Sequence, residues 1–168
     1  MEKEKRTLKF SEIFGFGAGG MFTYGFQLMI TGYYLLYYMT DIAGFSTVLA
    51  ASLYSTIQII KMVTMLFSGV IIDAINFRSG KYRTWVLVSG IGLGLFFPLS
   101  FFYYPLPQSV YVVVFMIIYT LQTLFYNVGW TAMRAVIGKV AKNKADVVAL
   151  NTSAQSAGTI SSILYGYI

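Results

Sequence analysis

The chain has 168 residues, of which 57% are hydrophobic, 18% aromatic and 11% charged, and its net charge is +6. A soluble domain carries about 25% charged residues, so this composition, with a mean hydropathy of +0.69, points to a membrane. The absence of cysteine and histidine excludes disulfides, thiolate metal sites and histidine-based acid–base chemistry.

Five apolar runs approach or exceed the roughly 18 residues that cross a bilayer as a helix. They lie at about 14–38, 46–72, 85–102, 109–133 and 147–168. The runs are continuous rather than alternating over about ten residues, which argues against a β-barrel. The first is too long for a signal-peptide core and lacks a small-residue cleavage site after it. Its "GFGAGG" contains a GxGxxG pattern at Gly15, Gly17 and Gly20. No strand precedes it, so helix packing and bending explain these glycines better than nucleotide binding.

The cations set the topology. Lys3, Lys5, Arg6 and Lys9 precede the first run; Arg78, Lys81 and Arg83 lie between the second and third; Arg134, Lys139, Lys142 and Lys144 lie between the fourth and fifth. The intervening connections, "TDIAGFS" and "YYPLPQS", hold none. Alternate connections share a side, so the positive-inside rule puts eleven of the twelve cations, and the N-terminus, in the cytoplasm of a cell-membrane protein. The basic balance then reflects topology, and no nucleic-acid partner is expected; the lipid bilayer is.

The twelfth cation is Lys61, inside "YSTIQIIKMVTML". It stands roughly 18 Å from Asp73 and roughly 22 Å from Ser46 along a helix. That is too deep for easy snorkelling, and a central lysine costs about 2.5–3.5 kcal/mol on insertion scales. A functional role is expected, against the plainer reading of a lysine in a wet crevice.

Polar residues recur at helical spacing in four runs: Tyr24, Gln27 and Thr31; Ser55, Gln58, Lys61, Thr64 and Ser68; Tyr119, Gln122, Thr123, Asn127 and Trp130; Asn151, Gln155, Thr159 and Ser162. The third run has almost no such stripe. Four stripes and one apolar helix suggest a shared central cavity lined by amides, hydroxyls and rings, which suits a sugar. The competing reading is interhelical hydrogen bonding.

The connection "GVIIDAINFRSGKYRTW" resembles the major facilitator signature, with Gly69, Asp73, Arg78, Gly80, Lys81 and Arg83 in the signature's places. "SGKYRTW", "FGFGAGG", "YYLLYYMTDIAG" and "NVGWTAM" are similar to one branch, the melibiose permease-like glycoside–pentoside–hexuronide:cation symporters. The resemblance covers essentially the whole chain. It implies an all-α polytopic membrane protein comprising about five helices of the N-terminal six-helix half. The activity implied is sugar or glycoside symport by alternating access, with the signature connection acting as a gate.

In the branch, two carboxylates one turn apart bind the coupling cation. An ungapped count places Lys61 and Met65 there, with Thr64 beside them. Sugar-contacting acids of the branch correspond to Phe22 and Asn127, and a helix 5 arginine to Asn151. With Tyr24, Gln27, Gln58, Trp130 and Gln155 these form the expected substrate-binding set. A sodium site built on a lysine is implausible, since hard cations need oxygen ligands. Lys61 then either stands as a fixed, tethered charge, giving uncoupled transport, or carries a proton as the coupling ion. An acidic sugar would fit it electrostatically. No cofactor, metal or catalytic residue is expected. The apolar ending "SSILYGYI" leads us to expect a fragment of a longer transporter. A transport-inactive membrane scaffold is the alternative, and a membrane enzyme lacks a nucleophile–base pair or metal set to support it.

Overall fold

The computed structural model describes residues 7–20, 30–78 and 80–166. Every regular element among them is helical. Helix α1 is Phe10–Gly20, α2 is Thr47–Ala74, α3 is Lys81–Ser100, α4 is Gln108–Val140 and α5 is Lys144–Gly166. Between α1 and α2 the chain over 30–42 is also helical. It holds two wide π-helical turns, Ile30–Tyr34 and Tyr38–Ile42, on either side of one α-helical turn, Leu35–Tyr37.

Among the described residues, three helices are long and apolar enough to cross a membrane: α2, α3 and α4. The expected fifth crossing is long enough in α5, but that helix does not meet the same apolar standard. It carries Asp146, Asn151, Gln155 and a run of Ser and Thr among its apolar residues. The expected first span over 14–38 is interrupted among the described residues, since 21–29 lie outside them.

The expected ends also shift. Helix α4 continues to Val140, seven residues past the expected 133, so Arg134 and Lys139 ride on the helix instead of lying in a connection. Lys81 and Arg83 open α3, and Lys144 opens α5. Hydropathy marks the oily slab, not the last helical hydrogen bond. A 33-residue helix is about 50 Å long, well beyond a hydrocarbon core of about 30 Å. Lysine and arginine are good helix formers that can carry it into water.

The chain divides into two compact units, Leu35–Met133 and a second made of Met1–Tyr34 with Arg134–Ile168. In the second unit α1 packs on α5. Ile13, Ile137 and Leu150 form its core, flanked by Leu8, Phe16, Ala141 and Ala149. The Ser153 hydroxyl donates to the Ile13 carbonyl at 2.8 Å. Gly17 lies so close to Ser153 that any side chain there would collide with it.

The unit Leu35–Met133 has two cores. One is aromatic: Tyr38, Phe45, Tyr111, Phe115 and Tyr119 with Leu35, Met39, Leu53 and Ile57. The Tyr38 hydroxyl is 2.9 Å from the Phe102 carbonyl and 2.7 Å from the Tyr111 hydroxyl. The other core joins Ile72, Trp85, Val128 and Ala132. Helices α3 and α4 meet through small residues: Gly92 lies under the Phe125 ring, and a Cβ on Gly129 would fall 2.7 Å from the Ser89 Cβ. The small residues of the third run thus permit close packing.

Candidate functional site

The middle of α2 is pinned to α4 by side chains that hydropathy alone would forbid. Asn127, almost fully buried, donates through Nδ2 to the Lys61 backbone carbonyl at 3.0 Å and to the Thr64 hydroxyl at 2.7 Å. The Thr64 hydroxyl in turn donates to the Ile60 carbonyl at 2.8 Å. One turn further on, the Ser68 and Thr131 hydroxyls are 2.7 Å apart. These bonds hold the backbone at Lys61 in place. The lysine side chain is half-buried, and its Nζ stands over the Tyr126 ring, 5.9 Å from the centroid. That is the outer range of a cation–π contact.

Lys61, Thr64 and Asn127 are therefore brought together directly. Met65, one turn from Lys61, is exposed, as is Gln58. Trp130, one turn beyond Tyr126 on α4, is half-buried. The stripe on α2 splits: Ser55 and Gln58 are exposed, while Lys61, Thr64 and Ser68 turn toward α4. On α4, Tyr119, Gln122, Thr123 and Asn127 are all buried. Asn151 and Gln155 belong to the other unit. There the Asn151 amide bonds to the Val147 carbonyl of its own helix at 3.0 Å, and Gln155 is exposed. Phe22, Tyr24 and Gln27 lie outside the described residues.

At the α2–α3 connection, Lys81 pairs with Asp73 at 2.6 Å, with Asp73 three-quarters exposed. Gly80 caps α3 at φ +102°, a backbone region that a side chain strains. Arg78 and Arg83 are exposed. A Cβ on Gly69 would meet nothing within 4 Å, so no contact here explains that glycine.

Two residues of weight escaped the sequence reading. Tyr126, the ring beneath Lys61, stands three residues after Thr123 and four before Trp130, so its place on the polar face of α4 was readable. Asp146 stands just before the expected fifth run, outside every stripe and motif. Its carboxylate accepts from the Thr7 amide at 2.8 Å, the Thr7 hydroxyl at 2.5 Å, the Lys142 amide at 3.2 Å and the Leu8 amide at 3.3 Å. Asn143 caps α5 by accepting from the Asp146 amide at 2.9 Å. The Thr7 hydroxyl, opposed by desolvation and aided by the three amides, holds the Asp146 carboxyl down to about 2.

Residues 15–168 match the family described as MFS/sugar transport protein. The chain is 29% identical over 126 residues to YagG of Escherichia coli (strain K12), covering 73% of this chain and 27% of YagG. It is 28% identical over 94 residues to the glucuronide carrier protein homolog of the same organism, covering 56% of this chain and 20% of that protein. With the isoprimeverose transporter of Lactiplantibacillus pentosus it shares 23% identity over 164 residues, 98% of this chain and 34% of the transporter. The chain thus spans about a fifth to a third of the length of these relatives. No solved structure matches it. With its long apolar helices, the chain is a multi-pass membrane protein that belongs to the MFS/sugar transport protein family, in the major facilitator branch of glycoside–pentoside–hexuronide:cation symporters.

Proposed function

We propose that this chain forms the N-terminal part of a secondary transporter of sugars or glycosides in the cell membrane, with its N-terminus cytoplasmic, working by alternating access. The observation that carries this reading is the family match over 15–168, supported by relatives named as an isoprimeverose transporter and a glucuronide carrier homolog. The protein acts as a carrier, not an enzyme. Gln58, Asn127 and Trp130, with Phe22, Tyr24, Gln27, Asn151 and Gln155, are the proposed sugar-facing set. Asp73 with Lys81, and Gly69, Arg78, Gly80 and Arg83 around them, form the proposed cytoplasmic gate, one that opens by exchanging the Asp73–Lys81 pair for water.

Sodium coupling through α2 is disfavoured on chemical grounds. Lys61, Thr64 and Met65 offer one hydroxyl, and that hydroxyl is engaged with Asn127 and the Ile60 carbonyl. A hard cation needs several oxygens. Transport is then either coupled to protons or uncoupled. Uptake of isoprimeverose and of p-nitrophenyl glycosides into proteoliposomes holding the protein that carries this chain tests this. We expect uptake of at least one sugar, driven by an imposed proton gradient or by no gradient. Absence of all uptake would defeat the transporter reading. Strict dependence on a sodium gradient would defeat the coupling reading alone.

A further inference from the structure

The wide turn Tyr38–Ile42 holds a residue that the helical period does not need. An i→i+5 turn takes in one residue more than an α-helical turn, and such turns are rare and recur at functional sites. Leu35, Tyr38 and Met39 are fully buried in the aromatic core. They stand at i, i+3 and i+4, one face of an α-helix, and the next position on that face, i+7, is Ile42. Yet Ile42 is exposed, and Ala43 packs on the core in its place. The sequence keeps the α-helical period, while the backbone departs from it by one residue.

The turn is held at its end and from within. The Ala43 amide donates to the Tyr38 carbonyl at 2.8 Å, and the Phe45 amide to the Met39 carbonyl at 2.9 Å. Gly44, at φ +69°, bends the chain so that the second bond can form. The Thr40 hydroxyl reaches back to the Leu36 carbonyl at 3.1 Å. Upstream, Tyr38 is fixed by its hydroxyl, through the Phe102 carbonyl and Tyr111. The Phe101 and Phe115 rings hold it too, with centroids 5.2 and 6.1 Å away. The residues before the turn are therefore anchored, and a change of register is taken up after it.

Such a change exchanges one contact for another. In an α-helical register the Tyr38 carbonyl takes the Ile42 amide, and the Met39 carbonyl takes the Ala43 amide in place of that of Phe45. Ile42 then replaces Ala43 against the core. One hydrogen bond is given up, at Phe45, and one aliphatic side chain is buried. Those two contributions are of similar size, so neither register wins outright. The chain after the turn moves by one residue, roughly 100° and 1.5 Å. Residues 43–46 alone join the turn to α2, so one residue is a large part of that tether.

We propose that Tyr38–Ile42 is a two-register switch, a turn that alternates between the wide form and an α-helical form with Ile42 in the core. It lets out or takes up one residue of the tether, so that the segment 35–42 and α2 can shift against each other without either helix breaking. The switch stands apart from the transporter reading and does not depend on it.

The test is hydrogen exchange, resolved to single amides, in the protein that carries this chain, reconstituted in lipid nanodiscs. The Ala43 amide is bonded in both registers and the Phe45 amide only in the wide one. In the unaltered protein Phe45 should therefore be protected at least roughly tenfold less than Ala43. Ile42→Ala removes what the α-helical register gains, so it should slow exchange at Phe45 by about fivefold and leave Ala43 unchanged. Thr40→Val takes a donor from the wide turn and should speed Phe45 by about threefold. Protection of the Tyr111 amide, bonded to the Pro107 carbonyl at 2.9 Å, shows that each variant has folded. A truncation that slows exchange is the mark of a switch, since truncation at a fraying helix end speeds exchange or leaves it alone. Equal protection of Phe45 and Ala43 in the unaltered protein overturns the switch. So does a Phe45 rate that Ile42→Ala fails to slow or Thr40→Val fails to raise, and each of these results leaves the transporter reading standing.

Discussion

Asp73 and Asp146 are the two acids beside the basic connections, and they are built in opposite ways. Asp73 carries the family signature, lies three-quarters exposed and meets one lysine. Asp146 belongs to no motif, is fully buried and collects four donors, three of them backbone amides. An exposed pair gains little in water and lets go readily. A buried carboxylate with four donors holds whatever supplies them. Burial and donor count thus separate the proposed gate, which would have to open, from a clasp that holds its chain.

The comparison breaks first at Asp146. Asp146→Ala should release residues 7 and 8 from the start of α5, and hydrogen exchange at the Thr7 and Leu8 amides should speed up by at least roughly tenfold, since several charged bonds are lost together. Asp73→Asn should leave those amides unchanged. If Asp146→Ala leaves them protected, the clasp is ornamental.

Acid offers the same test without mutation. The Asp146 carboxyl titrates near 2 in the folded chain instead of at the ordinary 3.8. A depressed carboxyl stabilises fully above its unfolded value, and that contribution disappears as pH falls through its folded one. Protection of Thr7 and Leu8 should therefore be flat from neutral pH down to about 4 and collapse between about 4 and 2. A loss already complete at pH 5 would contradict the arrangement.

A smaller effect is expected where the bonds are buried but uncharged. Asn127→Ala removes the links to Lys61 and Thr64 and should lower stability in a bilayer by about 1 kcal/mol, near the sum of two membrane hydrogen bonds. Thermal unfolding in lipid nanodiscs reads it. The smallest belongs to Asp73→Asn, at most about 0.5 kcal/mol for an exposed pair, while transport rate in proteoliposomes should change clearly if the pair is the gate. A large stability loss with unaltered transport would reverse the roles assigned to the two acids.

Much of the fold was legible because a bilayer imposes it. The runs that became α2, α3 and α4 are apolar over more than the membrane's depth, and only a helix can satisfy the backbone there. What misled was the helix ends, where hydropathy stops at Met133 and the hydrogen bonds continue to Val140. Lys61 announced itself by contrast with its neighbours. Its clamp did not, because the lysine's contribution to that bond is a backbone carbonyl, which has no sequence signature. Asp146 was invisible for another reason: its partners Thr7 and Leu8 stand 139 and 138 residues away. The spacing of Asn143 and Asp146 fits a helix cap, but nothing local tells of the distant segment that closes over it.

The contact among Tyr38, Phe102 and Tyr111 has a direction. A phenol has a single proton. Tyr38 gives its own to the Phe102 carbonyl, so the proton between the two phenols must come from Tyr111. The relay therefore runs one way, from 111 through 38 to 102. Removing the oxygen at 111 leaves the receiving chain intact, whereas removing it at 38 takes a partner from a donor on one side and from an acceptor on the other. Phenylalanine is then a mild change at one tyrosine and a severe one at its neighbour, although the two rings share one core.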